Sequence, residues 1–232
     1  MKFKFKIQDY QTEAVDAVVK VFDGQPFNDK VSYLRDLGEN IQICTENQNI
    51  NGDGFENAAI ELSDVMILEN IRSIQSQNNI RQSDDLSKPF GNDCRVALDI
   101  EMETGTGKTY CYIKTMFELN KQYGWSKFIV VVPSIAIREG VKKSFEVMED
   151  HFFEYYGKKA RYFVYNSKNL NQLDNFSSSK DIYVMIINSQ AFASSLKEGA
   201  KNEAARIIYS KQDSFGSRRP IDVISANRPI VI

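Results

Sequence analysis

One run of residues constrains this chain more than any other: Met102-Glu-Thr-Gly-Thr-Gly-Lys-Thr109. Two glycines separated by one residue let a backbone curl tightly enough for successive N–H groups to converge on a single anion. A lysine at the end of the curl brings a point charge to the β- and γ-phosphates of a nucleoside triphosphate, and the next hydroxyl is suited to Mg²⁺. The flanks agree with this reading. Arg95-Val-Ala-Leu-Asp-Ile100 reads as a strand. Lys108 to Tyr123 reads as a helix, with Tyr112, Ile113, Met116 and Leu119 on its inner side and Gly124 at its end. A helix N-terminus adds its dipole to the anion site. The expected ATP contacts are therefore Glu103, Thr104, Gly105, Thr106, Gly107, Lys108 and Thr109. Lys108 also carries the transition-state phosphate contact, and Thr109 is the Mg²⁺ ligand. The competing reading is a chance Gly-Lys-Thr in a loop, and the strand before and helix after it argue against that.

Elsewhere the pattern alternates. Asp9 is placed to cap a helix in which Ala14, Val15, Val18 and Phe22 share a face, with Gly24 ending it. Residues 24–92 are dense in Asn, Gln, Asp and Ser, with a turn at Asn51-Gly-Asp-Gly54 and one helical stripe through Ile60, Ile67, Leu68, Ile71 and Ile74. This stretch reads as an insertion, partly helical and partly mobile. Phe128-Ile-Val-Val-Val132 has the continuous apolar character of a strand buried on both faces, and Pro133 stops it. A helix with Ile137, Val141, Phe145 and Met148 as its stripe follows. Tyr162 to Tyr165 and Ile182 to Ile187 are further strands, Ala191 to Tyr209 a helix, and Pro229 to Ile232 the start of another buried strand. Strands alternating with helices predict an α/β fold with a mostly parallel sheet.

Composition removes several function classes. The formal net charge of −2 gives no bulk attraction to nucleic acid, so such a partner would be held by a local patch. Cys44, Cys94 and Cys111 form no C-x-x-C pair, and His151 is the one histidine, which argues against a disulfide framework or a multi-histidine metal site and fits a reducing cytoplasm. The start, Met1-Lys-Phe-Lys-Phe-Lys-Ile7, lacks the apolar core of a signal peptide, and no apolar run approaches the ~20 residues that cross a bilayer.

Leu98-Asp-Ile-Glu-Met-Glu-Thr-Gly-Thr-Gly-Lys-Thr-Tyr110, followed by Phe128-Ile-Val-Val-Val-Pro-Ser-Ile-Ala-Ile-Arg-Glu-Gly-Val141, resembles the restriction (Res) subunit of type III restriction–modification enzymes, which are superfamily 2 helicase-like ATPases. Met102, where the general phosphate-loop pattern has glycine, suits that subtype. The resemblance covers most of Val96 to Ile232 and a short segment around Tyr10-Gln11. It implies a three-layer RecA-like domain: 1–23 as an adenine-recognition segment, 24–92 as the insertion, and 93–232 as the phosphate-loop core. It implies that Gln11 reads the adenine edge, for which an amide that both donates and accepts is suited. It implies that Pro133, Ser134 and Arg138, with Ser189 and Gln190 of Asn188-Ser-Gln-Ala-Phe192, grip double-stranded DNA, and Lys142 and Lys143 would add charge or merely solvate a helix face. It implies a modification (Mod) methyltransferase partner.

The same resemblance implies that an Asp-Glu-Pro motif follows the strand beginning at Pro229, and these 232 residues contain no Asp-Glu pair. The expectation is a domain incomplete at its C-terminus, with a gap in its sheet, that binds ATP weakly and hydrolyses it negligibly. Two alternatives stand beside it. One is another superfamily 2 translocase of repair or defence, and the other is a non-hydrolysing nucleotide-binding interaction module.

Overall fold

The computed structural model describes residues 5–38, 53–88, 94–191 and 207–232. They fall into two compact units, one of Met1–Asn28 with Ala59–Gly124 and one of Asp29–Ala58 with Trp125–Ile232.

The first unit is helical. It holds α1 (Asp9–Lys20), α2 (Asp64–Gln77) and α3 (Lys108–Tyr123). α3 spans the residues expected for it because glycines in the left-handed region flank it on both sides, Gly107 at φ 89° and Gly124 at φ 83°. α1 starts at Asp9, so the cap position falls on Gln8 with no side-chain bond, and Asp9 acts through its charge in the first turn. Val15 and Val19 of α1 and Ile113, Met116 and Leu119 of α3 are buried. The Tyr123 hydroxyl donates to the Val19 carbonyl at 2.9 Å, and the Lys114 ammonium donates to the Thr12 hydroxyl at 2.9 Å. Ser63 caps α2, which buries Ile67 completely. The Gln25 amide fastens the chain before α2, donating to the Ala59 carbonyl and accepting from the Glu61 N–H.

Arg95–Ile100 is not a strand. Its apolar alternation is real, but a strand exists only as a member of a ladder. Here Ala97 donates to Ser87, no described strand runs alongside, and Ile100 is exposed.

The second unit carries a hairpin, β1 (Ser32–Leu34) against β2 (Asp53–Phe55), and a four-stranded parallel sheet of β3 (Lys127–Val132), β4 (Arg161–Val164), β5 (Tyr183–Asn188) and β6 (Ile230–Val231), in the order β4-β5-β3-β6. The α/β class and the parallel sheet expected from the sequence are both present. β3 and β5 are in full register from Lys127 opposite Tyr183 to Val132 opposite Asn188. Alternation divides the side chains between two faces. α4 (Ile135–Tyr156) covers one, with Phe145 stacked on Tyr162 at 5.1 Å. The other face packs Ile129, Phe163, Met185 and Ile187 under Leu173 and Phe176 of α5 (Asn171–Ser178) and Ile224 of α6 (Pro220–Ala226). This unit is thus layered helix, sheet, helix.

Two expectations shift at the margins. Ile137 was placed on the α4 stripe, but only Val141, Phe145 and Met148 are buried, because the first turn stands beyond the sheet's end and leaves Ile137 exposed. β6 is an edge strand, so Val231 is exposed and not sealed on both faces. Most of the expected helix 191–209 lies outside the described residues, and its last residues, 207–209, are helical. No helix among the described residues is long and apolar enough to cross a membrane.

Asn57 ties the hairpin segment to the sheet. Its amide donates to the Lys127 and Arg228 carbonyls at 2.8 and 3.0 Å, and its oxygen accepts from the Ser126 and Lys127 N–H groups at 2.8 and 2.9 Å. All four positions of the amide are used, at 3% exposure. Truncation would orphan several buried backbone groups at once, so Asn57→Ala is expected to lower stability in urea unfolding by roughly 2–4 kcal/mol. A loss below half a kilocalorie would contradict this role.

Lys127 is completely buried, with its ammonium donating to the Phe176 and Ser179 carbonyls at the end of α5. Burial pushes its pKa down to about 7, against a smaller opposing pull from Asp181. Between pH 7 and the ordinary lysine range the unfolded chain then holds a proton that the folded chain has released. The unfolded state binds more protons there, so stability rises with pH across that window. Lys127→Met is expected to remove this slope in unfolding measured from pH 7 to 10.

Candidate functional site

The segment Glu103 to Gly107 is a turn that runs directly into α3. Gly105 and Gly107 adopt φ +84° and +89°, a region costly for side-chain-bearing residues. The turn is drawn shut from within, where the Thr106 hydroxyl donates to the Glu103 carbonyl at 2.7 Å. It is also fixed from α1. The Thr106 carbonyl accepts from the Gln11 amide at 2.8 Å and from the Tyr10 hydroxyl at 3.2 Å. In a trans peptide the C=O and the following N–H point in opposite directions. Holding the Thr106 carbonyl toward α1 therefore turns the Gly107 N–H away from α1.

This loop can take an anion. A Cβ on Gly105 would meet nothing within 4 Å, so the curl is open at that point. Lys108 is exposed and engaged by no carboxylate among the described residues, and Thr109 is half-buried one position into α3. Residues 103 to 109 are thus brought together as a free cation and a hydroxyl beside a left-handed turn at a helix N-terminus. These are the donor types a Mg²⁺-bound triphosphate requires. Behind the loop, burial pushes the Cys111 thiol pKa up despite nearby Lys114, which keeps it a neutral packing group.

Gln11 is where α1 meets the loop, and it is buried at 8% exposure. Sequence reasoning gave it a base contact and did not foresee its bond to the loop. It missed Tyr10 as a loop contact altogether. The one available signal was their adjacency at the start of a helix, which says nothing about a partner 96 positions away.

The candidate DNA-contact residues lie in the second unit. β3 and β5 end side by side, so Pro133 and Ser134 leave the same sheet edge as Ser189 and Gln190. This is the carboxyl edge, where open α/β sheets present ligand-binding loops. Ser134 caps α4 by accepting from the Ile137 N–H at 3.3 Å, leaving the Ile135 and Ala136 amides at the helix mouth. Arg138 does not present a free charge, because its guanidinium closes on Glu139 at 2.9 and 3.1 Å. Lys143 pairs with Glu146 at 3.0 Å, whereas Lys142 is exposed.

The two loop glycines are not equivalent. A Cβ on Gly107 would lie 2.5 Å from the Gln11 amide nitrogen, while one on Gly105 meets nothing. Gly105→Ala is expected to cost only backbone strain, about 1–2 kcal/mol. Gly107→Ala adds the displacement of Gln11 and should cost about 1 kcal/mol more. Equal losses in urea unfolding would contradict the clamp.

Comparison with known proteins shows the family to which the chain belongs. A family model described as "Type III restriction enzyme, res subunit" matches residues 4–215. The chain is 30% identical to the EcoP15I Res subunit of Escherichia coli, across 96% of this chain and 22% of that protein. It is 30% identical to the EcoPI Res subunit of Escherichia phage P1, across 68% of this chain and 14% of that protein. It is 32% identical to the StyLTI Res subunit of Salmonella typhimurium, across 60% of this chain and 15% of that protein. The matched segments thus span only 14–22% of the length of these relatives, and the chain belongs to the Res-subunit family of type III restriction enzymes.

Proposed function

We propose that this chain is the ATP-binding part of a DNA-translocating motor, in which Glu103 to Thr109 cradle the triphosphate, Lys108 neutralises its terminal charge and Thr109 binds Mg²⁺. The observation that carries this reading is the left-handed Gly105–Gly107 curl opening α3, with Lys108 free beside it. Gln11 selects adenine. The carboxyl edge formed by β3 and β5, with Pro133, Ser134, Arg138, Ser189 and Gln190, grips the backbone of double-stranded DNA through amides and short polar side chains. For Arg138 to contribute charge, Glu139 must yield it to phosphate.

Motor action in the whole protein serves DNA cleavage together with a modification subunit. Family membership and the printed names of the relatives support that reading. Cysteine use supports a cytoplasmic setting. The 232 residues carry no Asp-Glu pair to hold Mg²⁺ from the far side and activate water. This polypeptide alone accordingly binds ATP and turns it over negligibly.

The test is ATP affinity, measured with Mg²⁺ present. Lys108→Ala is expected to weaken binding at least about ten-fold, the equivalent of roughly 1.4 kcal/mol. Unchanged affinity would sink the assignment. Turnover by this polypeptide at about 1 s⁻¹ or faster, the low end for enzymes, would contradict the expectation of negligible hydrolysis.

A further inference from the structure

A cleft of about 370 Å³ opens between the β1–β2 hairpin, α5 and α6, and every residue lining it belongs to the second unit. It shares no residue with the phosphate loop or with the carboxyl edge of β3 and β5. One glycine makes its floor possible. Tyr33 and Arg35, two residues apart, fall on one face of the extended chain. A Cβ on Gly54, which pairs with Tyr33, would collide with the Tyr33 ring and the Arg35 stem. The bare glycine lets both side chains lie across β2. On the opposite wall Arg218 is locked in place. Its guanidinium lies over the Phe215 ring at 3.9 Å, forks onto the Asp174 carboxylate at 2.8 and 3.0 Å, and donates to the Asp36 carbonyl at 2.9 Å.

The charges around this cleft do not cancel. Asp174 is taken by Arg218, and Arg35 lies 4.0 Å from the same carboxylate, so two cations share one anion. Asp222 is paired with Arg219 at 2.6 Å, and Asp36 accepts the Gly38 N–H at 2.8 Å. Lys211 also lines the cleft, exposed and with no ion pair or hydrogen bond among the described residues. The Arg35 Nε is sealed from solvent without an acceptor, and the Ser217 hydroxyl makes no hydrogen bond among the described residues. The balance is one net positive charge, and the unmet capacity is mainly that of donors. An unpaired buried guanidinium nitrogen is costly unless an acceptor reaches it. Donors on three separate segments suit the several oxygens of a phosphate, whereas a planar carboxylate is satisfied by a single fork. The cleft is far larger than one phosphate ion, and Tyr33, Val223 and Ala226 give it an apolar wall. We propose that this cleft binds a small phosphate monoester of about the size of a pentose phosphate, with Lys211, Arg35 and Ser217 on the phosphate and the apolar wall against the organic part. The site is independent of the ATP reading.

The probe is ribose 5-phosphate, titrated against the backbone amide resonances of the Lys108→Ala chain so that the phosphate loop does not compete. The amides of Gly216, Ser217 and Arg219 are expected to shift to saturation with a Kd of about 1 mM or tighter. Ribose should leave them unmoved, and inorganic phosphate should bind them at least about five-fold more weakly than the ester. Lys211→Ala, a change at an exposed position, should weaken the ester about ten-fold. The proposal is overturned if those amides show no saturable shift, if ribose shifts them equally, if inorganic phosphate binds as tightly as the ester, or if Lys211→Ala leaves the affinity unchanged. Failure on any of these counts, with ATP binding by the parent chain still dependent on Lys108, removes the cleft and leaves the phosphate-loop reading standing.

Discussion

The direction of one carbonyl, that of Thr106, governs the geometry of the phosphate loop. Two side chains from the first turn of α1 hold it, and the peptide plane that contains it sets where the Gly107 N–H points. The same arrangement holds position 107 to glycine, since the space a Cβ would need is filled by the Gln11 amide. The loop is thus not a free curl that closes on its ligand. It is shaped in advance by a helix that begins nearly a hundred residues earlier, which lowers the entropic cost of gathering several amides around one anion.

The second unit is organised on a different basis. Its parallel sheet is sealed by helices on both faces, and its edges carry the polar work. At the amino edge, Asn57 replaces missing ladder partners with one fully used amide, and Lys127 closes the end of α5. At the carboxyl edge, β3 and β5 finish in register and release their following loops together. Adjacent parallel strands deliver the ends of two distant segments to one place, and the DNA-gripping proposal depends on that. Its charges are mostly paired within α4, which suits a surface that recognises a backbone by amides and shape more than by bulk attraction.

The parts of this structure legible in the sequence are those decided within a few residues. α3 was legible to its ends because Gly107 and Gly124 mark both boundaries, and β3 because a run from Phe128 to Val132 without a polar residue has few other uses. What escaped was pairwise. Val96, Leu98 and Ile100 have strand character, but no local pattern reports whether a neighbour is there to complete the ladder. Ile137 keeps helical spacing with Val141 and Phe145, yet spacing does not tell where the sheet beneath ends. The four bonds of Asn57 reach residues as far as 171 positions away, and in sequence it is one asparagine among many. The candidate site divides in the same manner. The glycines, lysine and threonine of the loop announce themselves by spacing, whereas the clamp from Tyr10 and Gln11 exists only in the folded chain.

The central claim is that backbone amides from Glu103 to Thr109 receive a polyphosphate, and the most direct measurement is a titration of the backbone amide resonances with ADP and, separately, with AMP. ADP, which carries the β-phosphate, should shift the amides of Gly105, Gly107, Lys108 and Thr109 to saturation, and AMP should leave them nearly unmoved. Equal shifts with AMP, or saturable binding of ADP that leaves those amides in place, would contradict the account.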